Sequence, residues 1–117
     1  MKIEPDREYE GVITDVYVKT LWDHFVDENV NREIFDSFPQ IHDDHVIFVY
    51  EVREVKSSTI FAMVKEFHRI PTVYGLQYSN LGKIIDKYSL NTDNTDSWKG
   101  CLINIQKNVK GFFKIAF

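Results

Sequence analysis

At 117 residues, 44% of them apolar and 15% aromatic, the chain can build one hydrophobic core but not two, and a disordered chain is excluded. Its net charge of −4 gives no overall basic field, so a polyanionic partner would need a local cluster of lysines and arginines. The charge is uneven: residues 20–44 hold seven acids and one base, a balance of −6, which leaves the rest of the chain at +2.

Residues 9–18 read as a first strand. Tyr9, Gly11 and Ile13 fall on one face, and Val12, Thr14, Val16 and Val18 on the other. Gly11 allows a sharp bend or a close approach within that strand. Residues 19–44 form an acidic insertion. Leu21, Trp22, Phe25 and Val26 have helical spacing, as do Val30, Ile34, Phe35 and Phe38, with Asn29-Val-Asn31 between them and Pro39 after them. This predicts one or two short amphipathic helices, or a folded loop, either capping the barrel or offering an acidic, aromatic surface to a protein partner.

In residues 44–55 Val46, Phe48, Tyr50 and Val52 form one face against Ile47, Val49, Glu51 and Arg53, and in residues 59–67 Ile60, Ala62 and Val64 alternate with Phe61, Met63, Lys65 and Phe67. With the turn Lys56-Ser-Ser58 between them they predict a long hairpin. Pro71 and Gly75 punctuate the loop after it. Residues 78–90 then read as a helix with Leu81, Ile84, Ile85 and Tyr88 on one side and Ser79 or Asn80 as its cap. The polar run Asn91-Thr-Asp-Asn-Thr-Asp-Ser97 stops the helix. Trp98 opens a fourth strand carrying Cys101, Ile103 and Ile105, and Phe113, Ile115 and Phe117 alternate in a fifth. The order, with no βαβ crossover, predicts a single all-β domain over 1–117: a five-stranded Greek-key barrel with a helix between strands three and four and an insertion between strands one and two.

Three stretches carry a resemblance. Tyr78-Ser-Asn-Leu-Gly-Lys-Ile-Ile-Asp-Lys-Tyr88, Asp96-Ser-Trp98-Lys-Gly100 and Gly111-Phe-Phe-Lys-Ile115 resemble the closing segment of small phage and archaeal OB-fold proteins that bind single-stranded nucleic acid. Pro5-Asp-Arg-Glu-Tyr9-Glu-Gly11-Val-Ile13 is similar to the way their first strand opens. The resemblance implies an OB-like barrel of viral or archaeal type, a part in DNA replication, and sequence-tolerant binding of single strands, DNA favoured over RNA.

OB barrels bind single strands across the second and third strands, where aromatic rings stack on bases and basic groups hold phosphates. On this hairpin the candidates are Tyr50, Arg53, Phe61, Lys65, Phe67 and Arg69, with Lys56 at the turn and Lys19 and Lys107 in or beside the flanking loops. The competing reading puts Phe48, Tyr50 and Phe61 inside the barrel, since aromatic stripes usually serve the core. The second functional reading is a protein-interaction module working through residues 20–44.

Catalysis is not expected. The chain has no Gly-x-Ser-x-Gly elbow, P-loop or His-Glu-x-x-His, and Cys101 lies within an apolar strand without an activating neighbour. His42-Asp43-Asp44-His45 has metal-ligand chemistry, but only Asp23 and His24 offer a second pair, and a polar turn explains the same residues; no metal or cofactor is expected. One cysteine, no apolar run near the roughly 20 residues that span a bilayer, and an N-terminus without the apolar core of a signal peptide predict an intracellular, cytoplasmic protein without membrane contact.

Overall fold

The computed structural model describes residues 9–29, 41–55, 59–71, 75–108 and 110–117, with Phe61 by its backbone. Residues 5–8 of the opening motif, the second helical stripe at Val30, Ile34, Phe35 and Phe38, and Lys56 lie outside the described residues. Five strands, β1 (Tyr9–Thr20), β2 (Asp44–Glu54), β3 (Ile60–Arg69), β4 (Leu102–Lys107) and β5 (Phe113–Ile115), pair antiparallel in the order β3-β2-β1-β4-β5. They curl into a nearly closed, OB-like barrel. Helix α1 (Leu21–Asp27) follows β1, and α2 (Asn80–Lys87) lies between β3 and β4, as the sequence predicts.

Alternation sets the barrel interior. Val46, Phe48, Tyr50 and Val52 point inward from β2 and are almost fully buried. They meet Tyr9, Ile13 and Val16 of β1, Ile103 and Ile105 of β4, Ile115 of β5, and Leu81 and Ile84 of α2 in one core. Ala62 and Val64 of β3 pack against it. Burial of this apolar set is the main stabilising contribution, at about 25 cal/mol per Å² removed from water.

β1 departs from strict alternation. Ile13 pairs with Tyr50 and Asp15 with Val49, so Thr14 is an extra residue, a bulge that hydrogen-bonds through its hydroxyl to Val49 O (3.2 Å). Beyond a bulge every side chain changes face. Val16, expected with Val12 and Thr14, therefore joins Ile13 in the core, and Asp15 and Tyr17 turn outward. The bulge sits where β1 loses one neighbour: Tyr9 to Val12 pair with both β2 and β4, whereas residues 15–20 pair with β2 alone. Tight packing leaves no room on the inner face at Gly11, where a Cβ would come within 2.9 Å of the Ile103 and Ile105 side chains.

Other boundaries also shift. β3 runs on through His68 and Arg69, expected in the loop, because both continue the ladder, opposite Val46 and His45. α2 is shorter than residues 78–90. Ser79 caps it, accepting from the Gly82 amide (3.0 Å), and it ends where Ser89 takes φ 52° and the Leu90 amide reaches back to Ile85 O. Trp98 belongs to a 3-10 turn (Thr95–Trp98) rather than to β4, and Cys101 lies just before that strand, half-buried against the core.

Candidate nucleic-acid interface

The candidate surface is the outward face of β1, β2 and β3. Three rows cross it in register: Lys19, His45 and Arg69; Tyr17, Ile47 and Phe67; and Asp15, Val49 and Lys65. Lys65 and Phe67 share one face, as the strand alternation predicts, and Arg69, expected in the loop, joins them because β3 continues through it. Lys19 and Tyr17 join them because the Thr14 bulge turns the second half of β1. The Lys19 ammonium lies 5.4 Å from the Tyr17 ring centroid.

That face is not bare. Thr20 ends β1 and caps α1, accepting from the Asp23 amide (3.1 Å), so the chain turns straight from strand into helix. The helix lies back on the sheet. Its His24 ring is 5% exposed, stacked toward Tyr17 at 6.5 Å between centroids and edge-on to Phe67 at 5.0 Å. Asp27 pairs with Lys19 (2.6 Å), Glu28 with Lys65 (2.8 Å), and Asp43, on the way into β2, with Arg69 (3.2 Å). Hydrogen bonding within the first two pairs holds the carboxyls of Asp27 and Glu28 below their ordinary range and the ammoniums of Lys19 and Lys65 above theirs. Burial lowers the pKa of His24, so its ring favours the neutral form.

No family model, curated protein or solved structure matches the chain.

Tyr50 is a correction. It is 0% exposed and points into the barrel with Phe48, because β2 alternates and its other face carries His45, Ile47, Val49 and Glu51. Its hydroxyl donates to Glu66 Oε1 (2.9 Å), and burial beside that carboxylate pushes the phenol far above its ordinary range. It cannot stack on a base. Arg53 does face outward but lies toward the far end of the hairpin, opposite Glu10, and pairs with Glu51 (3.1 Å). Lys107 sits beyond Ile105, the partner of Tyr9, with its ammonium over the Tyr9 and Phe113 rings at 5.8 and 5.4 Å. It is thus at the opposite end of β1 from Lys19. The Phe61 side chain lies outside the described residues; its backbone is the extra residue where β3 slips register between Ala62 and Ile60.

Sequence reasoning missed Tyr17 and His24. The available signal was Asp15, which unbroken alternation would drive into the core with Ile13; a bulge avoids that.

The ligand-like tract His42-Asp43-Asp44-His45 disperses. His42 packs on Trp22 (5.4 Å), Asp43 holds Arg69, and His45 is buried with Nδ1 donating to Asp43 O (2.8 Å). Among the described residues no three His, Cys, Asp or Glu side chains converge on a common point to hold a metal. Burial pushes the Cys101 thiol up, away from thiolate chemistry. Among the described residues no helix is long and apolar enough to cross a membrane.

Proposed function

We propose that this protein is a non-catalytic binder of single-stranded nucleic acid, DNA favoured, acting without metal or cofactor through the outward face of β1, β2 and β3. One observation carries the reading: the cations Lys19, Lys65 and Arg69 share that face with the rings of Tyr17 and Phe67 on three adjacent strands. Rings that can stack on any base, interleaved with groups that can neutralise phosphate, are what sequence-tolerant single-strand binding requires. Arg53 extends the same face, and Lys107 and Phe61 stay outside the proposed contact set. The likeness to phage and archaeal OB-fold proteins fits an intracellular part in viral or archaeal DNA replication.

The test is a salt titration of binding to labelled poly-dT and poly-rU. Phe67→Ala should weaken binding by about 1–3 kcal/mol and leave the salt slope alone, as loss of one stacked base does. Lys65→Ala should flatten the slope of log affinity against log salt by about 0.7. Comparing the two polymers asks whether the ribose hydroxyl matters.

A second reading has its own observation. On α1, Val26 is 52% exposed beside half-buried Trp22 and Phe25, which suits a protein partner at residues 20–44. It replaces the first if the parent binds neither polymer at low salt, where the phosphate attraction is strongest.

A further inference from the structure

The cations proposed to hold a strand are already engaged by carboxylates from a single connection, the one between β1 and β2. Asp27 sits on Lys19, Glu28 on Lys65 and Asp43 on Arg69. In the same place His24 puts a flat ring against Tyr17 and Phe67. A planar ring among aromatics with anions on the flanking lysines is the chemical pattern that a nucleotide presents. We infer that α1 is a built-in occupant of the strand-binding face, held there in place of nucleic acid and displaced when a single strand binds; the inference rests on the single-strand reading above.

The physical chemistry makes the contact exchangeable. All three ion pairs are substantially solvated, with side chains between 35% and 59% exposed, and solvated pairs hold weakly and are screened by salt. α1 has seven residues, too few to persist as a helix without docking. A polyanion bringing several phosphates at once competes with these carboxylates on the same lysines, while a base competes with the imidazole for the two rings. The charged groups around His24 are Glu28, Asp27, Lys19 and Lys65, so removal of the helix would free both lysines together.

The experiment compares two neutralised proteins with the parent. Asp27→Asn with Glu28→Gln removes the two carboxylates that hold Lys19 and Lys65 and leaves Asp43 on Arg69. Asp86→Asn with Asp93→Asn removes the same formal charge from exposed positions on α2 and in the loop after it. Affinity for a dT oligonucleotide should rise in the first protein by about 1.5- to 5-fold per carboxylate, the range that solvated ion pairs span, and less in the second. The salt slope of the first should also be steeper than the parent's, because carboxylates freed in the parent take up cations as the strand releases them. In the parent itself, Trp22 on α1 should become more accessible to a quencher when the oligonucleotide is added; Trp98, at 2% exposed, contributes little to that change. Equal gains in both neutralised proteins, a fall in the first, or an unmoved Trp22 overturns the inference while leaving strand binding in place. If no protein of the three binds at low salt, the single-strand reading itself fails and takes this inference with it.

Discussion

The Glu66 carboxylate on β3 accepts a hydrogen bond from the Ile115 amide on β5, 2.8 Å from Oε1, and so bridges the two strands at opposite edges of the sheet. The same oxygen accepts from the Tyr50 hydroxyl (2.9 Å), and Oε2 lies 2.5 Å from His68 Nε2. One side chain thereby ties β2, β3 and β5 together inside the barrel. Glu66→Ala should cost about 2–4 kcal/mol, since it leaves two buried donors without an acceptor. Tyr50→Phe, which removes one donor and keeps the carboxylate, should cost less, about 1–2 kcal/mol. Urea melts of both proteins check the order; a Tyr50→Phe protein less stable than Glu66→Ala would contradict it.

Trp98 should behave as a core residue. It is 2% exposed, stacks on Phe48 at 5.7 Å and 13°, and its indole Nε1 donates to Asn91 O (2.7 Å), anchoring the polar loop to the barrel floor. Trp98→Ala should cost about 3–5 kcal/mol, as large aromatic truncations do. Trp98→Phe should recover part of that and leave the Asn91 carbonyl without its donor. A melting temperature within a degree or two of the parent for the alanine protein would rule the role out.

Gly82 should resist any side chain. It is buried in the first turn of α2, and a Cβ there would stand 1.9 Å from Leu76 O, a backbone atom that cannot swing aside. The Ser79 hydroxyl holds that turn on both sides, donating to Leu76 O (2.6 Å) and accepting from the Gly82 amide. Gly82→Ala should therefore destabilise by about 1–3 kcal/mol or more, although alanine is the better helix former. An alanine protein as stable as the parent would show that the Leu76 turn is free to move.

Docking of α1 should loosen in mild acid. Burial lowers the His24 pKa below its ordinary value, so near that value the folded state binds fewer protons than the unfolded one. The stability it contributes is full above the unfolded pKa, about 6.5, and is lost as the pH falls below it. Asp27 and Glu28, whose pKa values are lowered by their lysines, weaken the same contact only at lower pH, as they protonate. Trp22 emission followed from about pH 7.5 to about pH 5 should report the first step, and His24→Leu should abolish it. A transition unchanged in the leucine protein would assign it to another group.

The sequence by itself determined the barrel. Alternation in 44–55 and 59–67 specifies a hairpin, the Leu81, Ile84 and Tyr88 spacing a helix, and Ile103, Ile105 and Ile115 the closing strands, because burying one face of each element is a local requirement that its own residues must satisfy. Only the tertiary structure decided which hairpin face holds which ring. Tyr50 and Phe67 both sit on alternating strands, and nothing local says which parity is inside; pairing across β2 and β3 buries Tyr50 on Glu66 and leaves Phe67 outside. Tyr17 reaches the outer face through a one-residue bulge that lies just past the end of the β1–β4 ladder. The covering of Lys19 and Lys65 was likewise invisible: Lys65 and Glu28 are 37 residues apart, and a solvated ion pair at that separation exists only once α1 has folded back onto the sheet.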